Sequence, residues 1–219
     1  MDKGYFIFAQ GQEYIRNAYA LALSIKNTQT INSVCVAISP DDVIPDDYKE
    51  VFDYVVQVKN VGLKYPMQNE WQIWDLTPYK ETIHVEADML FSTNIDWWWE
   101  ELQLHEIIFT SHVKDYRGNI VTSNYYRQHF EKQNLPKLYN GLYYFRYSKT
   151  AHSFFKKAKE VSARYKHYAD YFFAGTWYPE TPTTDEIFGI TAYLLDLDQI
   201  VYNSAYMIPY FTHMKVRLQ

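Results

Sequence analysis

Residues 80–91 read KETIHVEADMLF, and the reading of that stretch decides the fold. Its apolar positions Ile83 and Val85 mark a short buried strand, which stops at Glu86-Ala87-Asp88 before apolar residues resume. Side chains alternate between the two faces of a strand, so carboxylates at i and i+2 on a strand end point the same way. Glu86 and Asp88 can then reach one hard cation, whose remaining positions are left for oxygens such as those of a diphosphate. The plainer alternative is two acidic residues opening a solvated loop.

The flanking motifs weigh on that choice. Trp74-Asp75-Leu76-Thr77-Pro78-Tyr79 lies before the strand, and Asn94-Ile95-Asp96 follows the acidic pair. In this order the motifs resemble the nucleotide-sugar glycosyltransferases of the GT-A fold, the glycogenin-like family especially. There a W-x-L-x-x-Y helix precedes a strand, an Asp-x-Asp and then N-I-D. The resemblance implies an α/β fold, a nucleotide diphosphate sugar as donor, UDP-linked, and Mn2+ or Mg2+ held by Glu86 and Asp88. Glu86 stands where the family has its first Asp, which lengthens that arm by a methylene.

The rest of the chain reads as alternating strands and helices. Residues 4–9 (GYFIFA) form a buried first strand and 10–12 (QGQ) the turn after it; the next helix carries Ile15, Ala18, Ala22 and Ile25 on one stripe. A second strand over 33–38, a turn at 39–42, a short helix over 46–52 and a third strand over 54–58 follow. Such alternation argues for a single domain with a mostly parallel central sheet and helices on both faces. Ligands bind such sheets at the carboxyl ends of the strands, where residues 10–12 and 86–88 both fall. Neither a GxGxxG fingerprint nor a GxxxxGK[ST] loop is present. The resemblance places Ala9, Gln10 and Ala87 against the donor and makes Tyr14 the base-stacking aromatic; an ordinary aromatic at a helix start is the alternative for Tyr14.

Residues 69–79, with Trp71, Ile73, Trp74 and Leu76, read as a helix beneath the site. Four residues before the Trp the family carries a Lys that helps hold the donor, whereas this chain has Glu70. A carboxylate cannot neutralise a phosphate, so this side departs from the family and points to an unusual donor sugar. Trp97, Trp98 and Trp99 cannot all face one way on a helix, and at least two belong to the core. A strand over 106–110 and one over 138–146 follow. The latter carries Asn140-Gly141, close to the family's N-x-G, where Gly lets a backbone approach a ligand and Asn offers an amide to a sugar hydroxyl.

Residues 150–166 form an amphipathic helix with Phe154, Phe155, Ala158 and Val161 inward. The stretch 181–186 leads into a further helix; the family carries an Asp at this helix start beside the reacting sugar, which makes Asp185 the first catalytic candidate and Glu186 the second. Helix capping alone also accounts for Asp185. Near residue 213 the resemblance implies a third metal ligand, His213, and a diphosphate contact, Lys215. Two carboxylates and an imidazole suit Mn2+ better than Mg2+.

Composition bounds the rest. The 219 residues suit one domain, 1–219, with a nucleotide-sugar half over 1–110 and an acceptor half over 111–219. With 22 Tyr and only 7 Gly, disordered architectures are excluded, and the single cysteine, Cys35, rules out an internal disulfide. No apolar run approaches the ~20 residues of a membrane span, and the opening residues lack a signal-peptide pattern, so the expected location is cytoplasmic. Residues 114–167 carry 12 Lys/Arg against 3 Asp/Glu, while the remainder carries 9 against 23. That basic block reads either as a solvated helix face or as a dock for a polyanion. Small Tyr-rich transferases of this kind resemble phage-encoded enzymes, some of which glycosylate hydroxymethylated bases in DNA, so DNA is one expected acceptor. A saccharide or glycan acceptor, a non-catalytic nucleotide-sugar binding module and a metal-dependent phosphotransferase are the alternatives.

Overall fold

The computed structural model describes residues 2–59, 61–62, 66–110, 113–114, 130, 132–175, 178–201 and 211–212. Six strands, β1 (Lys3–Phe8), β2 (Val34–Ile38), β3 (Tyr54–Gln57), β4 (Glu81–Val85), β5 (Ile107–Thr110) and β7 (Tyr139–Arg146), form one sheet in the order β3-β2-β1-β4-β7-β5. The pairs β1-β2, β1-β4 and β2-β3 are parallel, and β7 is antiparallel to both β4 and β5, so β7 alone runs against the others. Apart from this sheet, β6 (Val113–Lys114) pairs in parallel with β8 (Phe211–Thr212).

Strands β1 and β2 are buried almost throughout, as expected of central strands covered on both faces. Alternation sorts their side chains into two cores. Tyr5 and Ile7 of β1 join Val34 and Val36 of β2 and face helix α1 (Gln12–Thr28), through Ile15, Ala18, Leu21, Ala22 and Ile25, together with Trp98 and Trp99 of α4 (Trp97–Leu102). Phe6 and Phe8 join Phe109, Tyr143 and Phe145 and face Phe154 and Phe155 of α5 (Lys149–Ala163) and Phe188 of α7 (Thr184–Leu194). Trp97 is the exposed member of the tryptophan trio. Aromatic rings dominate the second core, with Phe109 stacked on Tyr143 at 4.6 Å and Phe154 edge-on to Phe188 at 5.3 Å.

Three expected helices are shorter than their sequence patterns. Residues 66–76 form a 3-10 turn over Pro66–Gln72 and a single α turn, α3 (Ile73–Leu76), because Thr77 adopts extended backbone ahead of Pro78, as residues before proline must. The long helix expected over 150–166 breaks at Arg164, whose backbone leaves the helical region, and resumes as α6 (Tyr165–Phe172). α2 covers Asp46–Lys49 of the expected 46–52.

Gly4 shows how tightly β1 is set. A Cβ there would lie 2.3 Å from the Tyr79 ring, which is wholly buried and fixed by a 3.0 Å hydrogen bond between its hydroxyl and that of Ser33. The ring has no room to retreat. Gly4→Ala should therefore cost roughly 1–3 kcal/mol, as overpacked core positions do; urea unfolding measures it, and an unchanged midpoint would mean that Tyr79 is not fixed.

Candidate active site

The register of the sheet brings the expected site residues to one edge. Phe6 of β1 stands beside His84 of β4, so Ala9 and Gln10 leave β1 next to Glu86-Ala87-Asp88 leaving β4. β7 enters at the same edge in the opposite direction, with Leu142 opposite Val85, and the Glu86 backbone N–H donates to the Gly141 carbonyl at 3.0 Å. Three strand ends thus put Ala9, Gln10, Ala87, Asn140 and Gly141 side by side.

The acidic pair itself differs in shape from the expected strand end. β4 stops at Val85, and Glu86-Ala87-Asp88 form a turn closed by the Met89 N–H on the Glu86 carbonyl at 3.3 Å. Alternation along a strand therefore does not govern Glu86 and Asp88; both stay partly exposed while Ala87 between them is buried. Gly11, at φ 100, gives the turn out of β1 the left-handed backbone that glycine adopts without strain. Asp42, at the carboxyl end of β2, ties that turn down by accepting from the Gly11 N–H at 2.8 Å and the Ser39 N–H at 3.2 Å. Tyr14 stands exposed in the first turn of α1.

Asn140 holds the other elements to this edge. Its backbone N–H donates to Asp185 Oδ1 at 2.6 Å, which fixes the start of α7, and its side-chain Nδ2 donates to Glu70 Oε2 at 2.8 Å, which fixes the 3-10 turn. The two elements are built to meet it. α7 begins with a capping box, in which Thr183 Oγ1 accepts from the Glu186 N–H and the Glu186 carboxylate accepts from the Thr183 N–H at 2.9 Å. The Tyr165 hydroxyl also donates to Glu186, at 3.2 Å, and the Glu186 side chain is fully buried. Glu186 thereby shapes the helix start, and Asp185 is the carboxylate that α7 brings to the edge.

Amides secure the 3-10 turn. Gln72 bonds both the N–H and the carbonyl of Lys59, each at 2.9 Å, and Gln68 and Ser162 exchange hydrogen bonds with each other's carbonyls. The Thr184 hydroxyl reaches the Met67 carbonyl at 3.3 Å and is also hydrogen-bonded to Glu70. Burial pushes the Glu70 carboxyl up to about 8; the charges of Glu86 and Asp185 add to that push, and the hydrogen bonds from Thr184 and Asn140 oppose it. Burial also pushes the His84 imidazole, beneath the acidic turn between Phe8 and Tyr143, down to about 4, so that it is neutral at neutral pH.

Among the described residues no three His, Cys, Asp or Glu side chains gather as a metal-binding group. Glu86 and Asp88 offer two carboxylate arms; His213 and Lys215 lie outside the described residues. A groove of about 510 Å3 lies at the opposite edge of the sheet, near the start of β5, between His105, Glu106, Thr150 and Asp196. Its Glu106 carboxylate accepts from the Thr150 hydroxyl.

Glu70 is the site residue whose part the sequence concealed. It enters the site as a partner of Asn140, seventy positions away, and no local pattern announces that contact.

No protein-family model matches the chain, and no curated protein sequence matches it. Solved structures do. Mouse xyloside xylosyltransferase 1 superposes with a TM-score of 0.54 at 10% identity, over 92% of this chain and 84% of that one. The galactosyltransferase LgtC, solved in complex with donor and acceptor sugar analogs, gives 0.56 at 10% identity, over 90% and 72%. The glycosyltransferase GlyE of Streptococcus pneumoniae TIGR4 gives 0.57 at 12% identity, over 94% of this chain and 46% of that one. The fold is that of the GT-A glycosyltransferases: one α/β domain around a six-stranded, mostly parallel sheet.

The raised Glu70 carboxyl has a consequence for stability. An unfolded glutamate ionises near about 4.3, so from there to about 8 the folded chain holds a proton that the unfolded chain has lost. Where the native state binds more protons, stability falls as pH rises. Glu70→Gln removes that term, so in metal-free protein its melting temperature should gain on the wild type more at pH 8 than at pH 5. An equal difference at both pH values would show that Glu70 ionises normally.

Proposed function

We propose that this protein is a metal-dependent glycosyltransferase that moves a sugar from a UDP-sugar to a saccharide acceptor. One observation carries the reading: the carboxyl edge of the sheet gathers Glu86 and Asp88, the Asn140-Gly141 entry of β7, and Asp185 at the start of α7. The fold adds support, since xyloside xylosyltransferase 1, LgtC and GlyE share it.

Each side chain then has a task. Glu86 and Asp88 would hold the divalent ion, Mn2+ in preference to Mg2+, and the family resemblance would add His213 as third ligand and Lys215 on the diphosphate. When bound, such an ion supplies Lewis-acid stabilisation of charge building on the departing nucleoside diphosphate. In this reading Ala9, Gln10 and Ala87 line the nucleotide side and Tyr14, exposed in the first turn of α1, stacks on the base. Gly141 is required by its neighbours, since a Cβ there would lie 2.4 Å from the Tyr139 ring and 2.9 Å from the Met89 methyl. Asp185, anchored through Asn140, stands beside the reacting sugar, and Glu186 serves it as a positioning residue through the helix cap.

A saccharide acceptor is favoured over DNA by how the basic block spends its charge. Lys157 pairs with Glu160 at 2.6 Å, Arg164 approaches the same carboxylate, and Lys166 pairs with Asp170 at 3.0 Å. Lys159 lies over the Trp71 ring, 4.8 Å from its centre. Among the described residues of the block, these four cations make the contacts of a solvated helix face.

Release of UDP from UDP-sugars in the presence of Mn2+ tests the activity. Asp88→Ala should reduce release to background while the melting temperature stays near that of the wild type; wild-type-like turnover in that variant would remove the acidic turn from the mechanism. Transfer should vary little between about 50 and 200 mM salt, whereas a DNA-directed enzyme contacting several phosphates would lose affinity by orders of magnitude over that range. A steep salt dependence with DNA as acceptor would overturn the saccharide reading.

A further inference from the structure

Three strand ends divide the carboxyl edge. β1 and β7 flank β4, so Asn140 enters on the far side of Glu86-Ala87-Asp88 from Ala9 and Gln10. In the proposed reading the nucleotide lies at β1 and the diphosphate at the acidic turn, which leaves the start of β7 for the transferred sugar. Asn140 is 5% exposed there, and its side-chain Oδ1 has no hydrogen-bond partner among the described residues. Buried polar atoms are almost always satisfied, so an open one at a ligand edge marks a place for a ligand's group.

Glu70 decides which end of the amide stays open. Its Oε2 accepts from Asn140 Nδ2 at 2.8 Å. Burial pushes the Glu70 carboxyl up to about 8, so at neutral pH it keeps its proton. That proton has a receiver other than Asn140: the Thr184 hydroxyl is hydrogen-bonded to Glu70 and gives its own hydrogen to the Met67 carbonyl at 3.3 Å. A protonated carboxyl has a single O–H and otherwise only accepts, so with its hydrogen on Thr184 it meets Asn140 as an acceptor. The chain of hydrogen bonds runs from Asn140 through Glu70 and Thr184 to Met67. It turns the amide nitrogen inward and leaves the amide oxygen as the open end. Gln68 and Gln72 hold the 3-10 turn that carries Glu70 through Ser162 and Lys59, independently of any ligand.

We propose that Glu70 is a positioning residue for Asn140 and that the amide oxygen it leaves open accepts from a hydroxyl of the transferred sugar. The proposal rests on the nucleotide-sugar reading above. An oxygen that only accepts excludes the ionised diphosphate from this point and calls for an O–H on the ligand. Glu70 thus has a part that a lysine could not fill, since a lysine only donates and would turn the amide round.

The test is calorimetric titration, with Mn2+ present, of UDP, of UDP-glucose and UDP-galactose, and of their analogues with fluorine in place of the hydroxyl at C2, C3, C4 or C6. Fluorine nearly keeps the size and removes the O–H. For the tighter-binding sugar, one fluorinated analogue should bind the wild type at least about tenfold more weakly than its parent, the scale of a buried acceptor left unsatisfied. Glu70→Gln should keep that discrimination, since a side-chain amide offers both an oxygen for Asn140 and a hydrogen for Thr184. Glu70→Met keeps the length and offers neither; it should still bind UDP, with discrimination reduced to less than about threefold. If UDP and a UDP-sugar bind and no fluorinated analogue is weaker, the proposal is overturned and the donor reading stands. Discrimination that survives Glu70→Met, or is lost in Glu70→Gln, overturns it equally. Should Glu70→Met not fold, the wild type and Glu70→Gln decide. Failure of UDP and every UDP-sugar to bind would remove the donor reading and the proposal together.

Discussion

The two hydrogen bonds made by Asn140 hold the site together. β7 is the strand that runs against the rest of the sheet, so its first residues, rather than its last, lie at the edge where β1 and β4 end. From there a backbone N–H reaches Asp185 and a side-chain amide reaches Glu70. One residue thereby ties a helix start and a 3-10 turn to the sheet. A hydrogen bond to a charged group contributes more than one between neutral groups, typically about 1.5–3 kcal/mol. These contacts add a polar fix at the edge to the packing of Phe188 of α7 on Tyr143 of β7.

The elements around Asn140 are rigid for separate reasons. α7 is buried over Thr184–Ala192 and starts in a reciprocal cap, which fixes Asp185 by fixing the turn that carries it. The 3-10 turn has poor intrinsic geometry, as such turns do, and its stability is borrowed from Gln68, Gln72 and Ser162. The aromatic core beneath, centred on Phe109, Tyr143 and Phe188, supplies the bulk of the burial. Polar fixation at the edge on an aromatic base is a sensible division: the base gives stability, and the edge gives position.

Much of this was legible in the chain itself. Strands that are buried on both faces read as unbroken apolar runs, so β1, β2 and β4 stand within a residue or two of where the pattern puts them. The stripe on α1 and the inward residues of α5 follow directly from helical spacing. Positions set by distant partners were not legible. Nothing local says that β7 slides between β4 and β5, because the pairing joins residues about sixty positions apart. The shortened α3 did have a signal, Thr77 before Pro78, which outweighs the apolar spacing around Trp74. Glu70 read as a departure from a family pattern; its bond to Asn140 makes it a part of the site. Asp42 was legible only as a turn residue, and its hold on Gly11 depends on β1 and β2 lying side by side.

The central claim is that the carboxyl edge of β1 and β4, with the start of β7, is where a metal–nucleotide complex sits. Paramagnetic Mn2+ tests this directly, since it broadens backbone amide signals near it when titrated with UDP into isotope-labelled protein. The account predicts selective broadening at Ala9, Gln10, Ala87, Asp88, Asn140 and Gly141. Broadening confined to His105, Glu106 and Asp196 at the opposite edge, with those six unaffected, would contradict it.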